Sequence, residues 1–343
     1  MSGGSGWKID PGAAGDALRV LTNARFVLMP THQNVDADGL SSPLAMVHAL
    51  RQLGVDAAPL IGDGVVPQNL AFLPGFDDVV VYGRDEVPEY DVLCLIDCAD
   101  HKRLGAFYTD NPERLNGSVP IVNIDHHVTN NRFGVVNIVE SNAASASEVV
   151  TDVLAIWGSE LTRDIAQCLL AGLYGDTLGL RTESTSSRTM RTAADLVDAG
   201  ASPGPIVDAL FRLKPRSSVC LWERALRNVQ WTGSLIWTEL TPEEFTSCGA
   251  SPVEAEGLVN FLTGTEGSHV AAILYANDRG WRVSMRSVDA NVAVIAAEFG
   301  GGGHPRAAGC TIVGDEAAKQ RFLERVSELA SGPVESPGDP SLI

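Results

Sequence analysis

The chain has 343 residues, of which 45% are hydrophobic and 20% charged, enough to bury sizeable cores in two domains. Its formal net charge is −18, with no run of Lys and Arg, which argues against a tight non-specific grip on long nucleic acid. The negative charge does not exclude small anionic substrates, because a few local cations and metal ions can outweigh a remote negative surface.

The first half of the chain alternates short apolar runs with helical patterns. Buried strands are predicted at 24–30, 91–97 and 119–124, and helices at 42–53, 146–157 and 164–174. Strands separated by helices are typical of an α/β fold with a doubly wound, mostly parallel sheet. Residues 1–190 are therefore predicted to form one α/β domain.

The second half begins with a stretch that has no strong strand signal. Helices are predicted there at 188–198, 206–213 and 219–229, and residues 191–230 are interpreted as a helical connector. Strand patterns return at 234–240, 270–276 and 281–287, and a last helix is predicted at 317–329. A smaller α/β domain is therefore expected over 231–332. The first eight residues and the Pro/Gly/Ser-rich tail at 333–343 are predicted to be disordered.

The six cysteines, at 94, 98, 168, 220, 248 and 310, form no CxxC pair and no zinc-like spacing. This pattern predicts six reduced thiols in a cytosolic protein. The N-terminus lacks the apolar segment of a signal peptide, and no stretch approaches the roughly 18 apolar residues of a membrane span. A cytoplasmic location without membrane association is therefore expected.

Acidic and imidazole side chains follow three of the apolar runs and end one predicted helix. They are His32, Asp36 and Asp38, then Asp97, then Asp125, His126 and His127, and last Asp176. In an open α/β sheet, ligands bind beyond the carboxyl ends of the strands, so these side chains are expected to converge. A single Asp after a strand is more often a turn residue or a helix cap, and Asp36 and Asp38 could play that part.

As a set, these side chains indicate a metal site. Carboxylate oxygens mixed with imidazole suit divalent Mn or Mg better than a thiolate site would. Crowded carboxylates also repel one another, and bound cations would relieve that repulsion.

A run of four glycines forms a second cluster of interest, made of Gly300, Gly301, Gly302 and Gly303 and followed by His304. Without side chains, the backbone N–H groups can approach a phosphate or a base closely, although a flexible hairpin loop would look the same. Arg286 precedes this run and can donate two hydrogen bonds to a phosphate, unless it is a solvated strand residue. Asn291 lies between them.

The ordered set of Asp and His motifs resembles the four motifs of the DHH phosphoesterases. The segment FGGGGHPRAAG, from Phe299 to Gly309, resembles the substrate-binding signature of the companion DHHA1 domain. The resemblance covers residues 20–332 and is strongest to the bacterial oligoribonucleases that also dephosphorylate 3′-phosphoadenosine 5′-phosphate, often called nanoRNases. The DHHA1 signature argues against the inorganic pyrophosphatases of the family, and the length argues against RecJ exonucleases.

Carried over by position, the resemblance implies two metal ions that share Asp97. His32, Asp36 and Asp97 would hold the first ion, and Asp38, Asp97, His126 and Asp176 the second. His127 would face the substrate phosphate, and Asp125 would orient a ligand. Arg286, His304 and the glycine run, with Asn291 nearby, would hold the nucleoside and its second phosphate. The chain departs from the common pattern at Leu178 and Leu180, where many relatives have Gly and an aromatic residue, but no ligand is lost.

The expected reaction is hydrolysis of a phosphate ester by water that two metal ions activate. Mn²⁺ is the expected cofactor, with Mg²⁺ or Co²⁺ as alternatives. The expected substrates are RNA of two to five nucleotides and the bisphosphorylated adenosine. A phosphodiesterase for linear or cyclic dinucleotides, such as pApA or cyclic di-AMP, is the alternative. A non-catalytic nucleotide sensor is disfavoured because every ligand is kept. A homodimer is allowed by the sequence but not required.

Overall fold

The computed structural model describes residues 7–330, except residues 63, 65 and 256 and the side chain of His304. The chain divides into two compact units, and the boundary falls between Leu213 and Lys214, inside the stretch interpreted as a connector. Residues 1–6 and the tail 333–343, predicted to be disordered, lie outside the described residues. The same prediction is wrong at Trp7, whose ring packs 3.8 Å from the Arg188 guanidinium.

Unit 1 is built on a six-stranded sheet. Its strands are β1 (Phe26–Thr31), β2 (Asp56–Ile61), β3 (Val80–Val81), β4 (Val92–Ile96), β5 (Ile121–Asp125) and β6 (Val136–Val139). Its helices are α1 (Pro11–Thr22), α2 (Ala37–Gln52), α3 (Ala106–Asp110), α4 (Ala146–Trp157), α5 (Arg163–Asp176), α6 (Ser187–Asp198) and α7 (Pro203–Val207). All strand pairs are parallel, in the order β3-β2-β1-β4-β5-β6. The doubly wound α/β fold predicted from the sequence is confirmed.

The sheet of unit 1 is buried on both faces. Along β1, Val27 and Met29 join a core that contains residues of α2, α4 and α5, whereas Leu28 joins a second core with Leu93 and Phe107. A strand covered on both faces carries an almost continuous apolar run, which is why β1, β4 and β5 could be read from the sequence.

Helix α2 begins at Ala37, and the predicted start at 42 is wrong. The Asp36 carboxylate caps the helix by accepting a hydrogen bond from Gly39 N at 2.9 Å. The Ser42 hydroxyl donates to the Asp38 carbonyl at 2.7 Å in the turn that contains Pro43. The earlier start places Asp36 at the N-cap and Asp38 in the first helical turn.

Unit 2 has a six-stranded mixed sheet and its own core. Its strands are β7 (Gln230–Thr232), β8 (Leu235–Leu240), β9 (Val270–Asn277), β10 (Gly280–Ser287), β11 (Gly302–His304) and β12 (Ala307–Val313). Its helices are α8 (Arg216–Arg227), α9 (Pro242–Cys248), α10 (Leu258–Thr263), α11 (Val292–Glu298) and α12 (Glu316–Ala330). The order is β11-β12-β10-β9-β8-β7, and only β8 and β9 pair in parallel among the described strands. Within the described parts of both units, we find no helix with the length and apolar character needed to cross a bilayer.

The cysteines depart from the prediction of six reduced thiols. Cys220 of α8 and Cys248 of α9 form a disulfide, with Cα atoms 5.6 Å apart across a sequence separation of 28 residues. The two helices pack against each other, a proximity that the spacing of cysteines in the sequence does not reveal. Four cysteines remain as buried free thiols: Cys94, Cys98, Cys168 and Cys310.

Candidate metal centre

The acidic and imidazole side chains of unit 1 gather where the strand order reverses. In the order β3-β2-β1-β4-β5-β6, the chain winds outward in opposite directions from β1 and β4. A crevice opens at such a switch point beyond the carboxyl ends of the strands. His32 follows β1, Asp97 follows β4, and Asp125 ends β5. Asp176, the last residue of α5, joins them from the helical layer.

Two groups of potential ligand atoms share Asp97, and the atoms of each group lie within 4.8 Å of one another. One group is His32, Asp36 and Asp97, and the other is Asp38, Asp97, His126 and Asp176. A third, overlapping group consists of Asp97, Asp125, His126 and His127. These are the residues that the sequence singled out.

The surroundings of Asp97 show whether a cation fits between the two ligand groups. Its side chain is buried, and its Oδ1 atom has no hydrogen-bond partner among the described residues. A buried carboxylate oxygen without a partner is costly, and a divalent ion would satisfy it. Oxygen and imidazole donors at this spacing are the ligands that Mn²⁺ or Mg²⁺ accepts, so the residues fit such an ion.

Two of the histidines are fixed with one nitrogen turned into the cluster. His32 Nδ1 lies 2.8 Å from the Gln33 carbonyl, and His126 Nδ1 lies 3.3 Å from the Ala143 carbonyl. A carbonyl can only accept, so Nδ1 carries a proton, and Nε2 is the nitrogen that can bind a metal once its own proton is displaced. Each Nε2 then faces a carboxylate, at 3.4 Å from Asp97 for His32 and at 3.1 Å from Asp176 for His126. This is the arrangement of a histidine that binds a metal.

Asp38 is held by the start of α4. Its Oδ2 accepts from Ala146 N at 2.6 Å, and its Oδ1 accepts from Ser147 N at 3.0 Å and from the Ser147 hydroxyl at 2.5 Å. The carboxylate therefore lies at the positive end of a helix. Gly172 of α5 makes room for this contact, because a Cβ there would come 2.4 Å from Asp38 Oδ1. Sequence reasoning missed Ser147 and Gly172, although the Gly-x-x-Gly spacing before Asp176 was a signal of close helix packing.

His127 is oriented by Asp125 rather than by a backbone group. Its Nδ1 lies 2.7 Å from Asp125 Oδ1, which directs Nε2 away from the buried carboxylate. Asp125 is itself held by Asn130, whose Nδ2 donates to Asp125 Oδ2 at 2.6 Å and to Asn123 Oδ1 at 2.8 Å. Sequence reasoning also missed these two asparagines, which carry no charge and only border the DHH triplet.

The electrostatics of the metal-free cluster favour protons. Burial raises the pKa of Asp176 to about 6, and the Asp97 carboxylate adds to this effect. Burial also raises the pKa of Asp38 well above its usual range, together with repulsion from Asp176. Burial lowers the pKa of His126, but the adjacent Asp176 and Asp97 carboxylates outweigh this and raise the pKa to about 12. Divalent ions would displace these protons.

The backbone is strained at two places in this region. Asp97 has φ +59°, in the left-handed region that residues other than glycine seldom adopt. Directly after Asp176, Leu178, Gly179 and Leu180 follow one another with φ of +50°, +72° and +66°. Strain of this kind persists where the surrounding structure fixes it, and it clusters at functional sites. A glycine at position 178 would relieve that part of the strain.

The residues expected to bind substrate in unit 2 come together at one end of its sheet. Arg286 on β10 and His304 on β11 both pair with Ala307 on β12. Asn291 caps α11 by accepting from Ala293 N at 3.2 Å. The glycine run leads into β11, and a Cβ at Gly301 would lie 2.1 Å from the Gly309 carbonyl oxygen, so glycine is required there for strand packing. The side chain of His304 lies outside the described residues.

Comparison with known proteins gives matches over both units. Residues 27–173 match the "DHH family, N-terminal domain", and residues 244–332 match the "DHHA1 domain". The bifunctional oligoribonuclease and PAP phosphatase NrnA of Thermus thermophilus is 33% identical over 313 residues, covering 88% of this chain and 89% of that protein. The protein of the same name from Bacillus subtilis is 24% identical over 310 residues, covering 88% and 94%.

A solved structure shares the fold. The exopolyphosphatase-related protein of Bacteroides fragilis superposes with a TM-score of 0.85 at 22% identity, over 94% of this chain and 99% of that one.

Proposed function

We infer the substrates from the premise that this chain belongs to the DHH family and is a phosphoesterase, a hydrolase of phosphate esters. It hydrolyses short oligoribonucleotides to mononucleotides, and it dephosphorylates 3′-phosphoadenosine 5′-phosphate. The observation that carries this proposal is the convergence of two ligand groups on Asp97, in a chain 33% identical to a bifunctional oligoribonuclease and PAP phosphatase.

Two divalent ions, Mn²⁺ before Mg²⁺ or Co²⁺, would be held by the two ligand groups. His32, Asp36 and Asp97 would hold one ion, and Asp38, Asp97, His126 and Asp176 the other. When bound, ions of this kind supply Lewis acidity and make water nucleophilic at neutral pH. The chain keeps their ligands in place through the backbone contacts of His32, His126 and Asp38.

His127 stabilises the charge that builds on the attacked phosphate. Its hydrogen bond to Asp125 raises its pKa, with the Asp97 carboxylate adding to the effect, and this favours the imidazolium form. In that form Nδ1–H donates to Asp125 while Nε2–H is left to donate to a phosphoryl oxygen. A donor fixed in advance by Asp125 and Asn130 loses little energy to reorganisation as the reaction proceeds.

Unit 2 binds the substrate beyond the attacked phosphate. Arg286 would hold a remote phosphate, and His304, Asn291 and Gly300–Gly303 the nucleoside. The register that aligns Arg286 and His304 across Ala307 supports this assignment.

The preference for short strands follows from charge. The net charge of −18 repels a long polyanion, whereas a dinucleotide needs only local cations and metal ions. We propose a cytoplasmic location because four of the six cysteines are buried free thiols, although the disulfide between Cys220 and Cys248 removes part of the argument from reduced thiols.

One assay tests this function. The chelated protein should be inactive, and Mn²⁺ should restore hydrolysis of 2-mer and 5-mer RNA and of the bisphosphorylated adenosine. At one salt concentration, kcat/KM should be clearly higher for the 2-mer and 5-mer than for a 24-mer. Full activity after chelation would contradict the metal site. A preference for the 24-mer or for cyclic di-AMP would contradict the proposed substrates.

A further inference from the structure

Basic residues follow the acidic motifs of unit 1 at short distances along the chain. Lys102 and Arg103 come five and six positions after Asp97, and Arg132 comes five positions after His127. No carboxylate within the described part of the chain forms an ion pair with these three side chains. Many other arginines of unit 1 do have such partners: Arg19, Arg25, Arg51, Arg84, Arg188 and Arg212.

The 3-10 helix His101–Leu104, which carries Arg103, and the loop that carries Arg132 are joined to each other and to the candidate metal ligands. Asn130 Nδ2 donates to the Cys98 carbonyl at 3.3 Å, and Asn131 N donates to the Ala99 carbonyl at 3.4 Å. On the other side, Gln33 N, next to His32, donates to the Arg103 carbonyl at 2.7 Å. Both segments therefore have fixed positions beside the candidate metal centre.

Arg132 has a backbone conformation that needs a reason. Its φ is +53°, in the left-handed region, and its N–H donates to Asn130 Oδ1 at 2.7 Å. Its guanidinium Nη2 lies 3.4 Å from the carbonyl of Val139, the residue that pairs with Asp125 across β5 and β6. The strained backbone thus places a cation at the carboxyl edge of the sheet, next to the residue that orients His127.

The negative charge of the candidate metal centre is a reason for cations beside it. Asp36, Asp38, Asp97, Asp125 and Asp176 together carry more negative charge than two divalent ions carry positive charge. A loaded centre would therefore offer no net positive charge to an oligonucleotide, which has a phosphate at every step. Recognition of one remote phosphate by Arg286 in unit 2 leaves the others to be neutralised.

We propose that Arg103 and Arg132 form an anion-binding site in unit 1 for a phosphate next to the one that is hydrolysed. The proposal rests on the proposed phosphoesterase function and adds a substrate contact to it. Both side chains are exposed, so each can reach a phosphate without first breaking an ion pair. Guanidinium groups can each donate two hydrogen bonds to a phosphate, which suits this role better than an ammonium would.

Arg103→Gln and Arg132→Gln test the site with two substrates. The trinucleotide pApApA has phosphates on both sides of a scissile bond, and bis-p-nitrophenyl phosphate has only the attacked one. With saturating Mn²⁺, each variant should lower kcat/KM on pApApA about tenfold or more, mainly through KM. The loss on the small ester should stay under about threefold. The dependence of log kcat/KM on log salt should become shallower by about 0.7 for pApApA, as expected when one phosphate contact to a single strand is removed.

Arg19→Gln is the matched control, because it removes one exposed cation from α1 that is already paired with Asp16. It should leave both substrates unaffected. Unchanged activity of the two test variants on pApApA would overturn the anion site, and so would an equal loss on both substrates. The activity of the wild-type protein distinguishes failure of the proposed function from failure of the anion-binding site. If it fails to hydrolyse either substrate with Mn²⁺, the proposed function falls, whereas normal wild-type activity with insensitive variants rejects the anion site alone.

Discussion

Replacing Asp97 by Asn tests the bridge between the two ligand groups. Asp97 Oδ2 lies 3.4 Å from His32 Nε2, and Oδ1 lies 3.4 Å from His126 Nε2, so one carboxylate serves both groups. Asn keeps the size of the side chain and tolerates the φ of +59° better than most residues do. The substitution therefore removes one charge and one bridging oxygen donor while the backbone is retained.

The expected loss of activity is large. A carboxylate shared by two ions contributes to holding both, and an amide has one oxygen and no charge to offer. We expect kcat to fall at least about 1000-fold, which corresponds to a barrier increase of about 4 kcal/mol. Asp97→Ala should lose as much activity but also unfold at a lower temperature than Asp97→Asn, because Ala in the left-handed region costs about 1 kcal/mol or more.

The assay is Mn²⁺-dependent hydrolysis of a 2-mer RNA, together with calorimetric Mn²⁺ titration and thermal unfolding. Asp91→Asn is the matched control. It lies just before β4, at the opposite end of the strand from Asp97, where its carboxylate accepts from Arg25 N and Phe26 N. That variant should keep its Mn²⁺ affinity and turnover. An Asp97→Asn protein that keeps more than about a tenth of wild-type kcat would refute the bridging role.

Two further predictions concern metal binding and the second unit. The pKa of His32 is raised to about 10 and that of His126 to about 12, so both imidazoles are protonated in the metal-free fold. These protons stabilise the metal-free fold most at low pH, and Mn²⁺ must displace them in order to bind. The rise in Tm on adding Mn²⁺ should thus be larger at pH 8 than at pH 6, and an equal or smaller rise would contradict this. Arg286→Ala should lower kcat/KM on nucleotides about tenfold or more and leave calorimetric Mn²⁺ affinity unchanged. Loss of metal binding in that variant would show that Arg286 is misassigned.

The elements that carry the ligands were also the easiest to predict. β1, β4 and β5 are central strands buried on both faces, so each has an almost continuous apolar run that ends at a polar motif. The central position that buries these strands, and so makes them predictable from the sequence, also places their carboxyl ends near the switch point. Strand and ligand were therefore predicted from the same stretch of sequence.

The strands that were missed are short or lie toward the edges of the sheets. β3 has two residues, and β6 has four that are mostly half-buried, so neither leaves a clear pattern of alternation. β2 contains Pro59, which is uncommon inside a strand. In unit 2, β11 is a glycine strand whose pairing with β12 depends on close backbone approach rather than on side chains. Local sequence carries little of that information.

The sequence predicted candidate ligands that the structure brings together, but it did not predict the groups that fix them. Asp38 receives its hydrogen bonds from Ala146 and Ser147, more than a hundred positions along the chain. The donors to Asp38 include backbone N–H groups at the start of α4, and the acceptor for His126 is the carbonyl of Ala143, so any residue type except proline could supply those atoms. What selects them is the packing of α2, α4 and α5, which Gly172 allows by leaving space beside Asp38. The geometry of the candidate metal centre is therefore a property of the helical layer as much as of the DHH motif, and it depends on positions that carry no catalytic chemistry of their own.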